Sequence, residues 1–167
     1  MNLQICRLTD HPEWISGLAS QFHAQWGSYY PHDPLELWEQ RLHDSIRPQG
    51  LGACFVGVLE ELPIAAAKLV KYDMQGREDL RPWLSGVWVH PNFRGKGIGP
   101  HLVAAVEDEA HRLAYRRLFL WTPDRNHFYG RLGWQEQQRT RYLGVEAIIM
   151  RKDLDSLGEG TGARAGF

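Results

Sequence analysis

The stretch from Trp83 to Leu113 limits the fold more than any other part of the chain. An apolar run, Trp83–Val89, stops at His90-Pro91 and passes into Arg94-Gly95-Lys96-Gly97-Ile98-Gly99. Beyond the loop, Ile98, Leu102, Ala105, Val106, Ala110 and Leu113 recur at helical spacing. A strand feeding a helix through a tight glycine loop commits the chain to a layered α/β architecture. The same unit is an anion site. Unpaired amides point outward at the helix start, and the dipole favours negative charge there by about 0.3–2 kcal/mol. Gly95, Gly97 and Gly99 let the backbone curl around phosphate oxygens, and Arg94 and Lys96 put cations at the rim. Pro100 suits the first helical turn, where no amide donor is needed.

Two other phosphate loops are excluded by single residues. A Walker A loop needs Ser or Thr after Gly-Lys, and Gly97 follows Lys96. A dinucleotide fingerprint anchored on Gly97 and Gly99 needs Gly or Ala where Leu102 stands.

The rest of the chain supplies the other layers. The alternating N-terminus, residues 1–8, reads as a strand. Thr9-Asp10-His11-Pro12 then introduces a helix carrying Trp14, Ile15, Leu18, Phe22 and Trp26. Tyr29-Tyr30-Pro31-His32-Asp33-Pro34 breaks it, and a shorter helix with Leu35, Trp38 and Leu42 on one face follows. Ala53–Leu59 and Ile64–Lys71 read as an antiparallel hairpin, and the polar stretch Asp73–Arg81 as a loop. After the central helix come a strand at Arg117–Thr122, a short helix at Arg125–Leu132 and a last strand at Gly144–Arg151. The order β-α-α-β-β-β-α-β-α-β predicts one mixed α/β domain over residues 1–153, with a glycine-rich flexible tail over 154–167.

Composition closes off several functions. A net charge of −1 does not suit a nucleic-acid partner, and the cluster Arg112, Arg116 and Arg117 falls at a helix end, where cations suit the dipole. The two cysteines, Cys6 and Cys54, are neither a disulfide framework nor a metal site. No apolar run reaches the roughly 18 residues of a membrane span, and residues 1–8 lack the long apolar stretch of a signal peptide. A cytoplasmic protein with no metal, membrane or nucleic-acid partner is expected.

Arg94-x-x-Gly97-x-Gly99 matches the acetyl-CoA signature Arg/Gln-x-x-Gly-x-Gly/Ala. From Leu84 to Gly133 the chain resembles the core of the GNAT N-acetyltransferases. The likeness covers the strand Val87-Trp88-Val89, the loop, the helix, the strand Leu118-Phe119-Leu120 and the run Phe128-Tyr129-Gly130-Arg131-Leu132-Gly133-Trp134. It extends more loosely over residues 1–152. It implies a central sheet splayed at the cofactor, with acetyl-CoA as co-substrate and a primary amine as acceptor, in a small molecule or at a peptide or protein N-terminus. Val87, Trp88 and Val89 would line the pantetheine arm, with backbone bonds from Val87 and Val89. Arg94 to Gly99, Ile98 included, would hold the pyrophosphate. The Val89 amide would polarise the thioester, and Tyr129 would serve as the general acid at the leaving thiolate.

The chain also departs from the family pattern. Relatives often carry a glutamate base on the strand before the loop, but Trp83–Val89 holds no carboxylate; His127, His90 and Asp73 are the alternatives. Thr122 stands where an asparagine is common, and Pro100 offers the phosphate no donor. His127-Phe128-Tyr129 with Thr122 resembles relatives that modify protein N-termini. The acceptor is expected near Trp26, Tyr29, Tyr30, Asp73 and His127, with aromatic rings facing a cationic amine. A non-catalytic acyl-CoA sensor is the alternative function, and the exposed strand edges of the C-terminal half permit a homodimer.

Overall fold

The computed structural model describes residues 1–47 and 52–154. Its elements run β1 (Gln4–Arg7), α1 (Ile15–Trp26), α2 (Leu35–Ser45), β2 (Gly52–Leu59), β3 (Leu62–Val70), β4 (Trp83–Val89), α3 (Ile98–Arg112), β5 (Arg117–Thr122), α4 (Asn126–Arg131), β6 (Gln135–Tyr142) and β7 (Val145–Asp153). One mixed sheet takes the order β1-β2-β3-β4-β5-β7-β6. Every neighbouring pair is antiparallel except β4 and β5.

Period-two alternation divides the strands between two layers. Ala53, Phe55, Ala65, Ala67, Leu69, Leu118, Leu120, Ile148 and Met150 face α3, where Ile98, Leu102, Val103 and Val106 meet them. Cys54, Val56, Val58, Ala66 and Trp88 face α1 and α2, against Leu18, Phe22, Trp38 and Leu42. A third group, Met74, Leu80, Trp83, Phe119 and Ile149, closes under the loop after β3. Leu84 and Val87 are three apart yet meet the same core. The offset comes from a bulge: Lys68 pairs with Ser85 and Ala66 with Trp88, so β4 carries one extra residue. Gly86 sits in that bulge at φ 60°, a conformation open to glycine.

The α/β class, the single mixed sheet and the four helices agree with the sequence reading. The structure adds a seventh strand. β6, Gln135–Tyr142, is polar along its length and exposed, so it carries no apolar alternation to betray it. Its pairing is set instead by a two-residue hairpin in which Leu143 (φ 52°) and Gly144 (φ 79°) both lie left-handed. The hairpin between β2 and β3 turns the same way on Glu60 and Glu61, so β3 begins at Leu62 rather than Ile64. Leu154 is fully buried in the α3 core, and the rest of the expected tail, 155–167, lies outside the described residues.

Ion pairs tie the layers together. Glu109 on α3 accepts from Arg7 of β1 at 2.6 Å and from Arg112 at 2.8 and 2.9 Å. Arg112 therefore serves a specific carboxylate as well as the helix end, and hydrogen bonds from the two arginines hold Glu109 down at about 2. Glu107, two residues earlier on α3 and 7% exposed, accepts from Lys152 Nζ at 2.9 Å and from Trp134 Nε1 at 3.0 Å. Lys152 Nζ also donates to Leu132 O at 2.7 Å, at the end of α4.

Among the described residues no helix is long and apolar enough to cross a membrane. Removing Glu107 leaves the Trp134 indole N–H without its acceptor and the Lys152 ammonium without its counter-charge, with only Leu132 O still bonded to it, a loss of about 3–5 kcal/mol for a broken buried pair. Glu107→Leu is expected to lower the urea midpoint by that amount of stability, while Glu36→Leu on the exposed face of α2 changes it by under about 0.5 kcal/mol.

Candidate active site

β4 and β5 meet at one register pair, Trp83 with Phe119, and a bond from Phe119 N to Pro82 O at 3.0 Å. Beyond it the two strands part. A cleft of about 1340 Å³ opens there and runs from the glycine loop, past the free side of β4, to α1, α2 and the loop after β3. Peptide groups alternate sides along a strand. His90 N donates to Ile64 O on β3 at 2.8 Å. Val89, one residue earlier, therefore turns its N–H toward the opening, and Val87 does the same. Trp88 packs its indole in the α1/α2 core, edge-on to Phe22 at 6.3 Å, and also lines the cleft.

The loop has the geometry of an anion cradle. Gly95 (φ 74°) and Gly97 (φ 76°) are left-handed, Gly97 is the N-cap of α3, and no side chain caps that helix. The first amides of a fifteen-residue helix are thus left for a ligand. A Cβ on Gly95 or Gly97 would meet no atom within 4 Å, so the loop surface is open where phosphate oxygens would lie. Arg94, Gly95, Gly97, Ile98 and Gly99 border the cleft. Lys96 is exposed, with its ammonium 5.3 Å from the Phe93 ring and outside the cleft lining. Arg94 donates to Val89 O at 2.9 Å and to Gln25 on α1 at 2.8 Å, so it joins the loop to the open strand. Backbone amides, an open concavity and adjacent cations fit a pyrophosphate.

Tyr129 stands on α4 at the far wall, with Phe128 and Trp134 packed edge-on at 4.9 and 6.2 Å. Burial lifts its phenol above the ordinary tyrosine range, Arg125 opposes that rise, and Asp73 adds to it. Asp73 and Tyr129 both line the cleft. Thr122 is buried and accepts from Arg125 N at 2.9 Å, which fastens the turn into α4.

Asp73 itself follows β3, and Ser85 Oγ donates to it at 2.8 Å. Burial pushes its carboxyl up to about 6, against the pull of Lys68, Ser85 and Arg41. Trp26, Tyr29 and Tyr30 border the same cleft with Trp38 and Arg41. Tyr30 is also raised, by burial first and then by Asp73. His127 is exposed on α4 and does not line the cleft. His90 Nδ1 accepts from Asn92 N at 3.2 Å and so caps the turn after β4.

Three polar participants escaped the sequence reading: Lys68, Ser85 and Arg41. Lys68 left one trace, a charge set inside the apolar run Ile64–Val70. Among the described residues no three His, Cys, Asp or Glu side chains gather as a metal cluster.

Comparison with known proteins follows from this geometry. A sequence model of the acetyltransferase (GNAT) family matches residues 15–134 of the 167. A putative acetyltransferase from Exiguobacterium sp. 255-15 is 25% identical, with a TM-score of 0.67, covering 96% of this chain and 99% of its own. An N-acetyltransferase from Staphylococcus aureus Mu50 is 15% identical with a TM-score of 0.73, covering 93% of this chain and 100% of its own. An aminoglycoside 6'-N-acetyltransferase complexed with coenzyme A is 14% identical with a TM-score of 0.73, covering 92% and 97%. A search of curated protein sequences gives no match. A family match over most of the chain makes it a member of that family.

Gly97→Trp tests the cradle. The side chain fills the concavity, and the left-handed backbone costs a further 1–2 kcal/mol or so. Calorimetry is expected to show acetyl-CoA binding weakened about 100-fold or more, a loss of roughly 3 kcal/mol.

Proposed function

We propose, from the premise that this chain belongs to the GNAT acetyltransferase family, that it moves an acetyl group to a primary amine by direct attack in a ternary complex. Dependence on acetyl-CoA comes with the family. The observation that carries the finer reading is the continuity of one cleft, which joins the glycine loop and the free side of β4 to Tyr129 and Asp73.

Bound acetyl-CoA supplies an activated acyl group and a thiolate leaving group. The chain's own residues do the rest. The α3 amides, Gly95 to Gly99 and Arg94 hold the diphosphate, while Val87 and Val89 pair with an amide-bearing arm as one more strand would. The Val89 N–H, pointing into the opening, polarises the carbonyl at which charge develops.

Tyr129 acts as a hydrogen-bond donor to the leaving sulfur. A thiol titrates near about 8.5 and an unperturbed phenol near about 10. Burial raises the phenol further, so complete proton transfer to the thiolate is uphill. A hydrogen bond that strengthens as charge grows still favours the transition state.

Asp73 takes the amine proton. A carboxyl at about 6 is ionised at neutral pH yet is a stronger base than an ordinary aspartate. Ser85 fixes its orientation. For an α-amine, deprotonation at pH 7 costs only about 1 kcal/mol, so a base of this strength is sufficient. Cys54 does not compete as a nucleophile, because burial pushes its thiol up to about 12.

Both cysteines are free, in keeping with a reducing cytoplasm. A homodimer through β6 is not part of this reading, since that edge is polar along its length and carries the charges of Glu136, Arg139 and Arg141, a pattern that opposes edge pairing.

Two variants test the roles. Tyr129→Phe is expected to lower kcat about 100-fold while calorimetric acetyl-CoA affinity stays within twofold. With Asp73 as base, kcat/KM rises as pH passes upward through about 6, where the carboxyl ionises. Asp73→Asn is expected to remove that limb and lower kcat/KM about 100-fold. A limb that persists in the variant assigns the base elsewhere.

A further inference from the structure

We propose that the acceptor is an amine with a carboxylate a few bonds from its nitrogen, and that Lys68, assisted by Arg41, receives that carboxylate. The proposal rests on the acetyl-transfer reading and names the acceptor class for the same cleft.

Lys68 projects from β3 on the α1/α2 side, opposite Ser85 in the register. Its Nζ lies 5.8 Å from the centre of the Phe22 ring, and its Cε comes within 3.0 Å of where a Cβ on Gly86 would stand. The side chain therefore lies across the glycine of the β4 bulge, one residue before Val87, and it borders the cleft. Gly86 and Val89 are three residues apart on β4, about 10 Å of strand, so the ammonium and the Val89 amide open on the same cleft.

Among the described residues, Lys68 Nζ has no hydrogen-bond acceptor and no carboxylate within 4.0 Å. The charges around it are engaged. Asp33 holds Arg41 at 2.6 Å. Asp73 is bonded by Ser85, and Glu78 accepts from Gly76 N at the rim at 3.0 Å. Burial keeps the Lys68 ammonium below the ordinary lysine range, with Asp73 pulling the other way. Lys68 is half-buried in the cleft wall, and an arriving carboxylate would give its ammonium the close counter-charge that it lacks.

Arg41 points to the same chemistry. Its guanidinium stands 5.6 Å from the Tyr30 ring centre and 5.3 Å from that of Trp38. Tyr30, one of the rings that the sequence offered to a cationic acceptor, is thus already faced by the chain's own cation. Only one guanidinium nitrogen is bonded to Asp33, which leaves donors for a second carboxylate.

The test is steady-state acetyl transfer by the full chain to peptide amides that begin with Asp, Glu, Asn or Lys, with free aspartate as a separate arm. Calorimetric acetyl-CoA binding reports that each variant is folded. Acidic first residues are expected to beat Asn about tenfold or more in kcat/KM, mostly through KM, with an advantage that shrinks in salt. Lys68→Met is expected to reduce that advantage to about twofold or less, and Lys68→Arg to retain most of it. Free aspartate turned over as well as the acidic peptides assigns the carboxylate to a free amino acid; peptide turnover alone assigns it to a chain terminus. Equal turnover of Asn and Asp, a preference for Lys, or an acidic preference that survives Lys68→Met overturns the proposal and leaves acetyl transfer standing. A protein that binds acetyl-CoA but acetylates no amine overturns the transfer reading, and this one with it.

Discussion

The parting of β4 from β5 is the constraint on which the rest depends. Two parallel strands at the centre of a sheet normally share an evenly spaced ladder. Here they share one register pair, at Trp83 and Phe119. The N–H groups of Val87 and Val89 turn into the gap at the heart of the fold, where an unsatisfied amide would ordinarily be a liability. Each becomes useful only because an extended ligand can complete the sheet. The bulge at Gly86 serves the same end: by adding one residue to β4 it shifts the facing of every position that follows. Cofactor edge, acceptor pocket and Tyr129 are arranged around that gap.

A gap in a sheet has to be held open from outside, and the buried network at Glu107 does this. Glu107 lies on α3, Lys152 on β7, and Trp134 just ahead of β6. Through Leu132 O the same ammonium reaches the end of α4, the helix that carries Tyr129. A six-residue helix has little stability of its own. Its position is set by this brace at one end and by the Thr122 hydroxyl at the other. Tyr129 and the glycine loop are therefore referred to one rigid element, α3.

Legibility followed the physics of each element. The glycine loop and α3 could be read because left-handed glycines, an apolar period of 3.6 and a proline in the first turn all point the same way. The two cores could be read from period-two alternation. β6 could not, because an exposed edge strand has no buried face and Gln135 to Tyr142 carries no apolar pattern. The family membership was legible from Arg94, Gly97, Gly99 and the run around Tyr129. The polar side of the cleft was much less so. Lys68, Ser85, Asp73 and Arg41 come from four separate segments, and only the register of β3 on β4 and the packing of α2 bring them together. Asp73 was named from the polar loop after β3, and for the other three a lysine inside an alanine-rich strand was the one local sign.

The absence of a carboxylate from β4 has a structural counterpart in Trp83. That side chain is fully buried, and its Nε1 donates to Leu80 O at 2.7 Å. A glutamate at this position would be desolvated among Met74, Leu80, Phe119 and Ile149, with its charge unpaired. The indole instead fastens the loop after β3 to the sheet, and that loop carries Asp73 back to Ser85 on β4. The strand thus gives up a carboxylate of its own and receives one across a hydrogen bond, from a segment anchored two residues away. The Trp83 indole fixes the loop at Leu80 while Ser85 holds Asp73 at the other end, so two residues of β4 set the position of the carboxylate that the strand itself lacks.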